Sequence, residues 1–302
     1  MVKLLSEDAP AKINLFLRVV GRRADGYHEL DSVFLPITLA DSLRIELRPS
    51  VRRQVALQGN LGGLPADDRN LAVKAAKCFI EEFDLNAEVL IGLDKAIPAG
   101  AGLGGGSSDA GAVLRMMAAL TRISEPERLA RIALAIGADV PFFLDPQPAR
   151  IGGIGERITS VEPTPDWPLL IVVPPIEVPT AAIFAGVRQA DWSGRAADND
   201  AAALIAGDLR PDLFVNDLER AAVERWPEIG RLKNAVIESG AQIASMSGSG
   251  GGVFGLFATF AHAESAAATL RRLDPRLRVF LARPWRPEAM QEPPLPFSNV
   301  DK

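Results

Sequence analysis

Five of the seven residues from 100 to 106 are glycine, within the stretch IPAGAGLGGGSSDAG at 97–111. Ordering so many glycines costs backbone entropy. The run therefore marks a place where side chains must be absent so that backbone N–H groups can approach a ligand. A helical pattern follows at once, from Ser107 or Ser108 to about Leu120. The first N–H groups of a helix lack intrahelical partners and its dipole favours anions there, so a glycine loop feeding a helix start reads as a phosphate cradle. The hydroxyls of Ser107 and Ser108 could cap that helix and face phosphate or Mg²⁺. Gly100, Gly102 and Gly105 also match the dinucleotide pattern G-x-G-x-x-G, but so do Gly250, Gly252 and Gly255. No acidic residue closes a second strand about 20 residues on, as that fingerprint requires. G-x-x-x-x-G-K-[ST], H-R-D and D-F-G are all absent from the chain, which excludes a Walker loop and a protein kinase. A glycine-rich connector without a ligand is the alternative, and the ordered helix start counts against it.

The rest of the pattern predicts a mixed chain. Strands are expected at 13–20, 43–47, 89–91, 169–173, 243–246, 252–257 and 279–282, with a further apolar run at 33–39. Helices are expected from Asn70 to about Glu82 and at 107–120, 125–136, 180–188, 217–225, 228–238 and 261–273. The lack of a regular βαβα alternation favours α+β over a doubly wound sheet. The 302 residues suggest two domains at roughly 150 residues each. The proline-rich EPTPDWP at 162–168 places the boundary near 160, giving 1–160 and 161–283. A tail at 284–302, with five prolines by position 296, reads as a poorly ordered extension. A second glycine cluster, SGSGGG at 247–252, reads by itself as a tight hairpin. Together with the first, it suggests a ligand approached from both halves. With 33 Lys+Arg against 38 Asp+Glu, the net charge of −5 disfavours a general nucleic-acid binder. The lone Cys78 excludes an intramolecular disulfide and a cysteine-rich metal site, and fits a reducing cytoplasm. No apolar run approaches the ~20 residues of a membrane helix and no targeting segment is visible, so no membrane partner is expected.

Three segments carry a family resemblance: PAKINLFL at 10–17, the stretch 98–109, and SGSGG at 247–251. They resemble the three motifs of the GHMP kinases, which phosphorylate small metabolites. DGYHEL at 25–30, GADVPF at 137–142 and GIGE at 153–156 resemble the branch of that family acting on 4-diphosphocytidyl-2-C-methyl-D-erythritol. The resemblance spans about residues 9–282. Gly252 stands where many relatives carry a side chain. The family implies an N-terminal α+β domain joined to a ferredoxin-like C-terminal domain, with the active site in the cleft between them. It further implies ATP and Mg²⁺ as cofactors, and transfer of the γ-phosphoryl to the 2-hydroxyl of a cytidine diphosphate sugar alcohol, in non-mevalonate isoprenoid precursor synthesis.

Carried over by position, the resemblance makes Asp139 the general base and pairs it with Lys12, which would keep it ionised. Without it, Asp139 reads as a turn residue, and Lys12 reads equally as a solvated edge lysine or as a buried one that needs a partner. ATP and its phosphates would meet Pro98, Ala99, Gly100, Ala101, Gly102, Leu103, Gly104, Gly105, Gly106, Ser107 and Ser108. Asn14, two residues from Lys12 and so on the same strand face, could hold substrate hydroxyls. Tyr27, His28 and Phe184 resemble the cytosine pocket, with Thr180 as a polar contact. The resemblance assigns no residues to the metal and no oligomeric state. Three other readings remain: a homoserine- or mevalonate-type kinase of the same family, a non-catalytic nucleotide-binding module on this scaffold, and a dehydrogenase. DGYHEL and the compact 137–141 turn favour the first reading over its kinase rival, and the retention of Lys12 and Asp139 argues against the binding module.

Overall fold

The computed structural model describes residues 2–162 and 164–286. Its N-terminal half is built on one long hairpin, β1 (Lys3–Arg22) and β2 (His28–Pro49), joined by the turn at 23–27. Both strands are far longer than the alternation predicts. The register shifts between Pro10/Ala11, Asn14/Phe16 and Val19/Gly21, and each bulge inverts which face a side chain takes. Alternation therefore breaks in the sequence although pairing continues. Around this hairpin lie β3 (Gln54–Gln58), β4 (Ala87–Asp94), β5 (Ala149–Gly153) and β6 (Arg157–Ser160), in the order β3-β4-β2-β5-β6 with β1 on β2.

Helices α1 (Leu71–Glu82), α2 (Gly105–Thr121) and α3 (Pro126–Ile136) cover one face of this sheet. Asn70 caps α1, its side-chain oxygen accepting from the Ala72 N–H at 3.0 Å, a contribution of about 1 kcal/mol. The core between sheet and helices includes Ile45, Ile91, Phe79, Val113 and Met117.

The second half carries an antiparallel sheet of β7 (Leu169–Val173), β8 (Ile243–Met246), β9 (Val253–Leu256) and β10 (Arg278–Ala282), ordered β10-β7-β9-β8. This is the ferredoxin-like arrangement expected. Helices α4 (Thr180–Phe184), α5 (Asp198–Ile205), α6 (Glu219–Arg225), α7 (Pro227–Glu238) and α8 (Phe260–Leu273) complete it. The helix expected over 180–188 stops at Phe184, two residues before Gly186. Ile13, Leu15 and Leu35 of the first sheet share a buried cluster with Leu169, Ile171 and Phe254 of the second, so packing fixes the two halves against each other.

The tail expected to be loose from residue 284 is tied down at its start. Ile37 bridges Pro284, the Trp285 N–H donates to the Pro36 carbonyl at 2.8 Å, and Arg286 donates to the Thr164 carbonyl at 2.9 Å. Residues 287–302 lie outside the described residues. Among the described residues no helix is long and apolar enough to cross a membrane.

Candidate functional site

The glycine run arches over a cleft of about 340 Å³. Its construction alternates. Gly100, Gly102 and Gly104 take positive φ (69°, 75° and 71°), while the Ala101 and Leu103 side chains between them plug into the core at 2% and 1% exposure. The arch thus turns its backbone outward and anchors through every second residue. At Gly102 a Cβ would lie 1.9 Å from the Ser247 carbonyl oxygen, and at Gly250 one would lie 2.0 Å from the Gly102 nitrogen. The second glycine cluster therefore buttresses the first. The Gly252 N–H donates to the Ala101 carbonyl at 3.1 Å and the Ser247 hydroxyl to the Gly102 carbonyl at 3.1 Å. A Cβ at Gly252 would meet the Ala101 oxygen at 2.5 Å, which leaves no room for a side chain there.

Helix α2 begins at Gly105, two to three residues earlier than expected, without a side-chain cap. Its first bonded N–H is that of Ser108, to the Gly104 carbonyl at 2.8 Å, which leaves the N–H groups of Gly105, Gly106 and Ser107 without intrahelical partners at the cleft. Ser108 faces inward. Its hydroxyl is fully buried and donates to the Pro10 carbonyl at 2.7 Å. Ser108 thus ties α2 to β1, whereas Pro98, Ala99 and Ser107 line the cleft.

Lys12 and Asp139 meet at this cleft. The Lys12 backbone N–H donates to the Leu103 carbonyl at 2.9 Å, so β1 runs directly beneath the arch. The ammonium lies 3.8 Å from an Asp139 carboxylate oxygen and 4.7 Å from the Phe34 ring centre. Its side chain is 4% exposed, that of Asp139 34%. Burial holds the Lys12 pKa below its ordinary value, and the Asp139 charge opposes that shift. Asn14, expected as a substrate contact, stands beside Lys12. It is drawn into the wall, where its side-chain oxygen accepts from Lys12 at 2.7 Å and its amide donates to the Ser32 hydroxyl at 2.9 Å. Asn14 thus orients the ammonium and is itself 2% exposed.

Thr180 opens α4 at the cleft and accepts from the Ser249 hydroxyl at 3.0 Å. One turn on, Phe184 stacks on His28, with ring centres 5.4 Å apart and planes at 29°. Trp192, which the sequence did not single out, stands edge-on to His28 at 6.4 Å. It is held by its neighbours: the Ser193 N–H donates to Asp217 at 2.9 Å and the Ala196 N–H to Asp31 at 2.8 Å. Burial, and then the nearby Arg22 charge, lower the His28 pKa, favouring the neutral ring that can both donate and accept. Tyr27 is 63% exposed at the tip of the hairpin. Ile97 and Ser249, from the two glycine segments, also line the cleft, as do Leu64, Leu71 and Lys95, which the sequence did not single out. Among the described residues no group of three or more His, Cys, Asp or Glu side chains could hold a metal ion.

Two family models match the chain: the GHMP kinases N-terminal domain over residues 70–145 and the GHMP kinases C-terminal domain over 197–275. The 4-diphosphocytidyl-2-C-methyl-D-erythritol kinase of Anaeromyxobacter dehalogenans (strain 2CP-1) is 42% identical over 269 residues, covering 87% of this chain and 84% of that one. The enzyme of the same description from Thiobacillus denitrificans is 41% identical, covering 91% and 93%. A crystal structure of 4-(cytidine 5'-diphospho)-2C-methyl-D-erythritol kinase superposes with a TM-score of 0.79 at 35% identity, covering 92% and 98%. A homoserine kinase from Cytophaga hutchinsonii has the same fold at a TM-score of 0.69 and 19% identity, covering 92% and 94%.

Proposed function

The chain belongs to the GHMP kinases, and from that membership we propose that it transfers the γ-phosphoryl of ATP to the 2-hydroxyl of 4-diphosphocytidyl-2-C-methyl-D-erythritol. The products are the 2-phosphate and ADP, and the step belongs to non-mevalonate isoprenoid precursor synthesis. The observation that carries the reading is the Lys12–Asp139 pair, set at 3.8 Å in the same cleft as the glycine arch. The identity of the acceptor rests on the 41–42% identical relatives.

Phosphoryl transfer asks a protein for positioning, charge stabilisation and a destination for the hydroxyl proton. The N–H groups of Gly105, Gly106 and Ser107 bind phosphate oxygens. Asp139 accepts the proton of the acceptor hydroxyl, a role worth ~10²–10⁴-fold in rate. Lys12, fixed by Asn14, holds Asp139 turned toward the cleft. His28, Phe184 and Trp192 enclose the pyrimidine, with Tyr27 and Thr180 at its margins. Residues 1–160 and 161–283 act as two domains that supply opposite walls. Mg²⁺ bound with the nucleotide would supply positive charge to the transferring phosphoryl group. A single, half-buried Cys78 fits a cytoplasmic setting.

The test is ADP release with ATP and Mg²⁺ across a panel of acceptors. Turnover is expected with 4-diphosphocytidyl-2-C-methyl-D-erythritol. Turnover with homoserine or mevalonate alone would refute the assignment, and none with any acceptor would favour a binding module.

A further inference from the structure

Behind the arch lies a buried charge cluster that the proposed mechanism does not use. The Lys95 ammonium donates to Asp41 and, at 2.7 Å, to Asp109. The three side chains are 5%, 0% and 2% exposed. Asp41 belongs to β2, and its second oxygen accepts from the N–H groups of Ala96 at 2.6 Å and Ile97 at 2.8 Å. Asp109 lies just past the first turn of α2. The chain entering the arch and the helix leaving it are therefore fastened to one ammonium. Lys95 also reaches the cleft wall, and a Cβ on Gly105 would sit 3.3 Å from its nitrogen.

We propose that Lys95 is a positioning residue for nucleotide binding. By bridging Asp41 and Asp109 it holds the two ends of the glycine arch at fixed separation, so that the free N–H groups at the start of α2 are aimed before the polyphosphate arrives. A run with five glycines in seven residues has no stiffness of its own, and pre-ordering it moves an entropy cost out of the binding step. The cluster holds two carboxylates for one ammonium, and among the described residues the second oxygen of Asp109 has no partner. That is a costly arrangement to bury, which fits a role in binding beyond packing.

The inference rests on the kinase reading but not on the acceptor, so its test is ADP binding by titration calorimetry with no acceptor present. Lys95→Met is expected to weaken ADP at least tenfold and to raise KM for ATP by a similar factor, with KM for the acceptor within twofold. Asp109→Asn, which keeps an oxygen for Lys95, is expected to weaken ADP no more than threefold. A folded Lys95→Met protein that binds ADP within twofold of wild type would overturn the proposal. So would an Asp109→Asn variant as impaired as Lys95→Met. Should Lys95→Met fail to fold, Asp41→Asn replaces it. That variant keeps an acceptor for the Ala96 and Ile97 N–H groups, is expected to weaken ADP threefold or more, and overturns the proposal if affinity is unchanged. A chain with a different acceptor would fail the acceptor panel and still pass this test.

Discussion

Gly100 and Gly102 form a matched pair. Both take positive φ in the same arch, at 69° and 75°, yet a Cβ at Gly100 meets nothing within 4 Å while one at Gly102 lies 1.9 Å from the Ser247 oxygen. Gly100→Ala should therefore cost only the left-handed backbone penalty, about 1–2 kcal/mol. Gly102→Ala adds a clash that closes only when the two glycine clusters part by about 1 Å, since real Cβ contacts do not fall below 3.0 Å. That movement stretches the bonds from Gly252 to Ala101 and from Ser247 to Gly102, both 3.1 Å, to the point of loss. At ~0.5–1.5 kcal/mol each, the total for Gly102→Ala is about 2–5 kcal/mol. The assay is urea unfolding of both variants beside wild type, with kcat measured for Gly102→Ala, where a misplacement of ~1 Å should cost on the order of 10²-fold. Equal destabilisation by the two alanines, or Gly102→Ala turning over within threefold of wild type, would refute the view that the second cluster buttresses the first.

Asp139→Asn should lower kcat by ~10²–10⁴-fold while KM for both substrates stays within threefold, as initial-rate kinetics would record; near wild-type turnover removes Asp139 as the base. Burial, opposed by Lys95 and helped by the charge of Asp41, pushes the Asp109 carboxyl up to about 7 from 3.8. The folded state then holds a proton that the unfolded chain has lost, so this group's stabilisation is complete below about pH 4 and fades as pH rises through about 7. Wild type should lose up to ~1.4 kcal/mol per pH unit across that window from this source, and Asp109→Asn should remove that slope; superimposable pH profiles of the urea midpoint would contradict it.

Where local chemistry decides a boundary, the sequence was readable. Asn70 announces α1, and the apolar runs at 169–173 and 243–246 are β7 and β8. Strands β3, β5 and β6 were not readable. They are short and partly exposed, and stretches such as RITS at 157–160 carry almost no apolar alternation. The site shows the same division. Its motifs stand in the sequence, but the partners of Ser108 and Asn14 do not. Ser108 bonds the Pro10 carbonyl and Asn14 bonds Lys12 and Ser32, contacts that strand and helix pairing across the fold decides. Trp192 could not have been found, because what brings it to His28 is a segment pinned by Asp31 and Asp217 from distant parts of the chain.

A net charge of −5 opposes two phosphate-bearing substrates at long range, but the cleft answers locally. Among the described residues that line it, Lys12 and Lys95 stand against a single carboxylate, Asp139. The carboxylates that balance Lys95 lie behind it, 0% and 2% exposed. Charges scattered over the outer surface act across water and are screened beyond ~8 Å at physiological salt, whereas the two ammonium groups and the free N–H groups of α2 act at contact. A ligand entering the cleft therefore meets paired lysines and oriented N–H groups on a negative protein. Affinity should then depend far more on the geometry of the arch than on the long-range field, and raising the salt concentration should slow encounter little.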